Sequence, residues 1–245
     1  MAGIAVRRAA AAREAEDDMP RAHVFEVAGA ALTADPLGAL YYEAERCLII
    51  ADLHLEKGSS FAARGVFLPP YDTAATLARL ARLVTRYNPR QVVCLGDSFH
   101  DRAADTRLGK NDIAALLALQ AGRAWLWIAG NHDPAPPRAL GGDALDEARL
   151  GPLILRHEPQ PGPQPGEIAG HLHPAARVFG PSGSTRRRCF VADGARCILP
   201  AFGAFAGGLN WRDSAFSGLF GAPVTAHVIG RDRVYAVGAG RCISD

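Results

Sequence analysis

Four short apolar runs, at 47–51, 92–95, 125–129 and 153–155, each lead within a residue or two into a polar side chain. Runs of that length with no polar face read as strands buried on both sides, as in a mostly parallel sheet packed between layers. Two segments of helical spacing lie between the first three runs. From Asp72 to Tyr87, the residues Leu77, Leu80, Ala81, Val84 and Tyr87 share one face while Arg79, Arg82 and Arg86 fall elsewhere. Asp72 or Thr73 is the expected N-cap there, and Pro89 closes the segment. A second helix is expected from Asn111 to Gly122, with Ile113, Leu116 and Leu117 turned inward.

Upstream, 24–27, 31–33 and 40–42 read as short strands separated by Gly29 and by the Asp35-Pro36 turn. Lys57-Gly58-Ser59-Ser60 reads as a loop that Pro69-Pro70 closes. Beyond residue 150 the chain becomes strand-rich, at 167–169, 188–192, 197–199, 224–229 and 233–237, with a Pro/Gly-rich loop at 159–166. Helix alternation followed by strands predicts an α/β fold. There is no internal repeat and no linker long enough to force a second domain, so one domain is expected over 21–245. Residues 1–20 are alanine-rich and charged, and are expected to be an extension, either a frayed helix or disordered. Translation from Met19 would remove nearly all of it.

Composition narrows the class without choosing a function. The 245 residues are 49% hydrophobic and 21% charged, as in an ordinary globular protein. A net charge of +2 gives little pull on a polyanion, and Lys57 and Lys110 are the only lysines. The five cysteines, Cys47, Cys94, Cys189, Cys197 and Cys242, contain no Cys-x-x-Cys pair and read as reduced, structural thiols of a cytoplasmic protein. The longest apolar stretch, 113–129, is interrupted by Gln120, Gly122 and Arg123 and is not a membrane span. Arg7-Arg8 has no apolar core behind it, so export is not expected. Phosphate-loop, serine-hydrolase and zinc-ribbon patterns are all missing.

The polar residues at the strand ends carry the chemistry. They are Asp52 and His54, Asp97, Asn131 and His132, His157, and His171 and His173. Singly, such residues are turn formers or surface histidines. With His100 they place six of the eight histidines beside the carboxyl end of an apolar run, where open α/β sheets bind ligands. Mixed carboxylate, carboxamide and imidazole donors suit borderline divalent ions such as Mn²⁺, Fe²⁺ or Zn²⁺. The alternation in Asp52-x-His54 and His171-x-His173 would put each pair on one side of an extended segment.

The series Asp52-x-His54, Gly96-Asp97, Gly130-Asn131-His132-Asp133, His157 and Gly170-His171-x-His173 resembles the calcineurin-like metallophosphoesterase superfamily. Agreement continues in 56–61, 68–73 and 199–203, which resemble the bacterial ligase-associated DNA-damage-response endonuclease/phosphoesterase (PdeM) family. With them the likeness covers nearly everything after Met19. The resemblance implies two packed mixed β-sheets flanked by helices, a four-layer sandwich with a dimetal site at the strand ends. It implies one ion held by Asp52, His54, Asp97 and His173, a second held by Asp97, Asn131, His157 and His171, and Asp97 bridging the two. Mn²⁺ is the expected ion, with Fe²⁺ or Zn²⁺ as substitutes. Two such ions activate water for in-line attack on phosphorus.

His132 is then the expected proton donor. Asp133 either orients and tunes its ring or makes the turn before Pro134. His100 gives a Gly-Asp-x-x-His form that resembles a nuclease branch of the superfamily, many of whose other members differ at this position. It is therefore an expected catalytic or supporting residue, the alternative being a loop residue paired with Asp101. Lys57 and Arg64 follow the first motif and are candidate substrate contacts; Arg186-Arg187-Arg188 is either a phosphate contact or a solvated face. Phe61, Tyr71 and Trp211 have no assigned role.

The expected reaction is phosphodiester hydrolysis, with DNA as substrate and an ATP-dependent ligase and a helicase as partners implied by the family likeness. The alternative is a phosphatase or pyrophosphatase acting on nucleotides or other small phosphate esters, since the same donors serve both. A non-catalytic binding module would be signalled by a missing ligand, and all are present.

Overall fold

The structure is a computed structural model that describes residues 22–69, 71–133, 139–181, 183–221 and 223–245. The extension at 1–20, Met19, Pro70 and Pro134 lie outside the described residues.

The first sheet runs β1 (His23–Val27), β2 (Ala30–Ala34), β3 (Leu40–Tyr42), β4 (Cys47–Ile50), β5 (Gln91–Leu95), β6 (Ala124–Ile128) and β7 (Asp143–Leu145), side by side in chain order. The first three strands form an antiparallel meander, whereas β4, β5, β6 and β7 are parallel. The second sheet follows the order β14 (Leu209–Asn210), β11 (Pro174–Gly180), β12 (Gly183–Ala192), β13 (Cys197–Ile198), β10 (Glu167–Ala169), β9 (Leu153–Arg156) and β8 (Glu147–Leu150). β15 (Thr225–Ile229), β16 (Val234–Gly238) and β17 (Cys242–Ile243) join it off that path. Within it β9, β10 and β13 are parallel.

Alternation along the buried strands builds the layers. Ile49, Val93 and Leu95 face the second sheet and pack with Leu153, Leu155, Ile168 and Phe190. Their neighbours Leu48, Ile50, Val92 and Cys94 face the other way. There α2 (Asp72–Tyr87) and α3 (Lys110–Gln120) cover them with Leu77, Leu80, Leu83 and Leu116. Each fully buried side chain of this size contributes about 1.5–3 kcal/mol. Beyond the second sheet, Cys189, Val191, Ile198 and Val228 pack under Trp211 and Phe216, which gives Trp211 a structural role. All five cysteines are free and buried. Among the described residues no helix is long and apolar enough to cross a membrane.

Four local expectations need correction. Lys57-Gly58-Ser59-Ser60 is not a loop but the start of α1 (Lys57–Ala63). Its weak helical propensity is offset by tertiary bonds: Asp72 Oδ2 accepts from Gly58 N–H at 3.0 Å, and Ser59 Oγ donates to Glu56 Oε2 at 2.6 Å. Asp72 and Thr73 do not cap α2, whose N-cap is Tyr71. Thr73 Oγ1 instead accepts from Glu56 N–H at 2.9 Å, so both residues brace α1. Leu117 is 43% exposed rather than turned inward. Arg188 is half-buried in β12 and donates to the Ala201 carbonyl at 2.7 Å, while Arg186 and Arg187 are exposed.

Candidate metal centre

The parallel strands bring the polar residues together. Asp52 and His54 follow β4, Asp97 follows β5, Asn131 follows β6, His157 follows β9, and His171 and His173 follow β10. Because β4, β5 and β6 are adjacent in one sheet and β9 and β10 in the other, these seven strand-end residues meet at one edge of the sandwich.

The side chains fall into two groups. Asp52, His54 and His173 have donor atoms within 4.8 Å of one another, as do Asp97, His157 and His171. Each group draws on both sheets. The pairs do not converge by strand alternation as the sequence suggested. Asp52 (φ 54°), His54 (φ 44°), Asp97 (φ 44°), His171 (φ 68°) and His173 (φ 48°) all have left-handed backbone, so tight turns aim the side chains. For non-glycine residues this costs roughly 1–3 kcal/mol each, and such strain gathers at functional sites.

Neighbouring backbone holds these turns. Asp52 N–H donates to Gly96 O at 3.2 Å and His54 N–H to Asp97 O at 2.9 Å. The 199–203 segment adds Phe202 N–H to Ala51 O at 2.7 Å and Gly203 N–H to Asp52 O at 3.0 Å. Gly96 (φ 72°) lies under the His157 ring, and a Cβ there would overlap it.

The donor chemistry fits divalent cations. His157 Nδ1 lies 2.9 Å from the Leu95 carbonyl, which can only accept, so its proton is on Nδ1 and Nε2 presents a lone pair. That lone pair faces Asn131 Oδ1 at 2.9 Å and His171 Nδ1 at 3.2 Å, and Asn131 Oδ1 lies 3.1 Å from His171 Nδ1. With His171 in the tautomer that leaves Nδ1 bare, three lone pairs converge on a point suited to a cation. In the other group His54 Nε2 and His173 Nε2 face each other at 3.3 Å, and His173 Nε2 is 3.2 Å from Asp52 Oδ1. His54 is pushed down to about 2, first by burial and then by His173 and His100, so its ring is neutral. Neutral imidazoles and buried carboxylates are the forms that ligate metal. The two oxygens of Asp97 face different groups: Oδ1 is 3.5 Å from His157 Nε2, and Oδ2 is 4.0 Å from His54 Nε2.

His132 sits at the mouth of the site with its side chain 41% exposed and Nε2 3.8 Å from Asp97 Oδ2. Its Nδ1 is 2.9 Å from the His100 carbonyl. This corrects the role expected for Asp133, whose Oδ2 accepts from Phe99 N–H at 2.9 Å and braces the loop. Asp133 is buried, and burial raises its carboxyl to about 8. The His100 ring stacks on His132 with centroids 5.4 Å apart. Asp101 is not its partner, because both carboxylate oxygens accept from Arg107 at 2.8 Å. Lys57 donates to the Phe205 carbonyl at 3.1 Å and, with Arg64, lies over the Phe61 ring. Tyr71 is 70% exposed. Arg102, Arg107 and Glu158, near the site in space, belong to no periodic pattern and left no mark in the sequence.

Residues 45–198, which include every residue of both donor groups, match the model of the calcineurin-like phosphoesterase family. The chain belongs to that family and is a metal-dependent phosphoesterase. Among solved structures it is similar to Pseudomonas putida nuclease MPE, with 34% identity, a TM-score of 0.68, and coverage of 89% of this chain and 100% of that one. That match is consistent with the ligase-associated endonuclease likeness. It is also similar to Yfce, a phosphoesterase from E. coli, at 12% identity and a TM-score of 0.38 over 78% of this chain and 97% of that one. No curated protein matches the sequence.

Proposed function

We propose that this chain hydrolyses phosphodiester bonds of DNA with two divalent ions, Mn²⁺ by preference, as a cytoplasmic endonuclease or phosphodiesterase of bacterial DNA repair. One observation carries the reading: Asp97 stands between two donor groups, with one carboxylate oxygen toward each. The likeness to a nuclease over that protein's whole length supports nucleic acid as the substrate.

Asp52, His54 and His173 would hold one ion, Asn131, His157 and His171 the other, and Asp97 both. The ions would supply an activated water and neutralise phosphoryl oxygens. Asn131 adds a neutral oxygen where Asp97 already brings charge. The His100 carbonyl fixes the His132 ring, so a protonated His132 presents Nε2–H toward the open side, where a leaving oxygen needs a proton. His100 is pushed down to about 4, mainly by burial, and packs against that ring in neutral form. An ATP-dependent DNA ligase and a helicase are the proposed partners.

The test gives the Mn²⁺-loaded protein single-stranded DNA, bis(p-nitrophenyl) phosphate and p-nitrophenyl phosphate side by side. Nicking of the DNA is the expected result. Turnover of the small esters alone, with Mn²⁺, Fe²⁺ and Zn²⁺ each tried, would assign a small-phosphoester hydrolase instead.

A further inference from the structure

Two clefts share Asn131 as lining, one continuing with His132 and the other with Gly130 and His157, and they differ in charge. One, of about 510 Å³, is lined by Ser60, Arg64, Asp101, Arg102, Arg107 and His132. The other, of about 600 Å³, is lined by Asp146, Glu147, Arg156, Glu158 and Gln160. In the first, three arginines stand against one aspartate; in the second, three carboxylates stand against one arginine.

Internal pairing sharpens the contrast. Arg107 holds both oxygens of Asp101 at 2.8 Å, which uses up the carboxylate of the cationic cleft. Arg64 donates to a neutral partner, Ser60 Oγ, at 2.8 Å, and Arg102 is exposed. On the other side, Arg156 is taken by Glu147 at 2.8 Å and Glu167 at 3.3 Å. Asp146 and Glu158 are exposed.

The cationic cleft is also braced. Arg107 Nε donates to Ser59 Oγ at 3.0 Å, and Ser59 Oγ donates to Glu56 Oε2 at 2.6 Å, joining the loop after β5 to α1. Its arginines are therefore carried by two walls held at a fixed separation.

We propose that a nucleic-acid strand lies along the cationic cleft alone, so that the enzyme grips its substrate on one side of the scissile phosphate. Arg64 and Arg102 hold the phosphates that continue from the reacting one. Asp146 and Glu158 repel phosphates on the far side, because exposed charges act over a Debye length of roughly 8–10 Å. The scissile bond is accordingly favoured where little of the strand extends across the acidic cleft. This rests on the phosphodiesterase reading above and adds to it the direction in which the strand leaves.

Charge reversal at two exposed positions tests it by binding, without turnover. Anisotropy of a fluorescein-labelled single-stranded oligonucleotide is followed in chelator for the wild type, Arg102→Glu and Glu158→Lys. Arg102→Glu weakens binding on the order of tenfold, and Arg102→Ala lowers the salt dependence by about one released ion. Glu158→Lys tightens binding several-fold. Equal effects of both reversals, no effect of either, or weaker binding by Glu158→Lys would overturn one-sided binding. If the charge effects appear and Mn²⁺ nevertheless gives no cleavage, the nuclease reading fails and the cleft assignment stands. If cleavage occurs with no charge effect, the cleft assignment alone fails.

Discussion

His132 takes its orientation from the main chain of His100 and not from its neighbour Asp133: its Nδ1 lies 2.9 Å from the His100 carbonyl oxygen, while Asp133 Oδ2 accepts from Phe99 N–H at 2.9 Å. The proposed acid role and the loop bracing thus fall to adjacent residues. His132→Asn is expected to lower kcat by about 10²–10⁴-fold, the usual contribution of general acid catalysis, with metal content near normal. Asp133→Asn should lower thermal stability more than it alters the pH profile of kcat. A metal-free His132→Asn protein, measured by elemental analysis, would make that residue a ligand instead.

Asp97 should be the least replaceable donor, since its two oxygens serve different groups. Asp97→Asn is expected to reduce metal at both sites together and to abolish nearly all turnover. Isothermal titration with Mn²⁺ checks this. Loss of one binding event with the other intact would end its shared role.

The crowding at Gly96 predicts a coupled defect. Gly96→Ala places a Cβ into the His157 ring on a backbone of φ 72°. A loss of about 3 kcal/mol in denaturant unfolding is expected, along with weaker metal binding. Gly240→Ala, where no heavy atom lies within 4 Å, should be nearly neutral and serves as the control.

Stability should also depend on pH away from the site. His227 is buried, stacks on Phe25 at 4.1 Å, and is pushed down to about 4 by burial and then by His23. An unfolded imidazole near 6.5 takes up a proton that the folded one refuses, so stability rises with pH between about 4 and 6.5 and is lost as pH falls. His227→Phe keeps the stacking and should flatten part of that slope in melts run across the window. An unchanged slope would exclude His227 as a contributor.

Strands buried on both faces were legible because apolarity alone defines them, as at β4, β5 and β6. β11 and the first half of β12 were missed because half-buried Arg177 and the exposed Ser184, Thr185 and Arg186 carry no apolar signature. α1 was misread because Gly58, Ser59 and Ser60 form a helix only with Asp72, Thr73 and Glu56 around them. The donor set was legible since each member ends a strand, and its meeting point follows from parallel pairing. How the side chains are aimed was not, because left-handed backbone at Asp52, His54 and Asp97 has no local sequence cue.

The two donor groups are each assembled from both sheets, with the His157 ring fastened to the Leu95 carbonyl across the gap. The width of each donor group is therefore governed at a distance, by how thick the hydrophobic filling between the sheets is. Trimming Phe190 or Leu155, neither of which is a donor, would let the layers settle closer together and narrow both donor groups without touching any of their atoms.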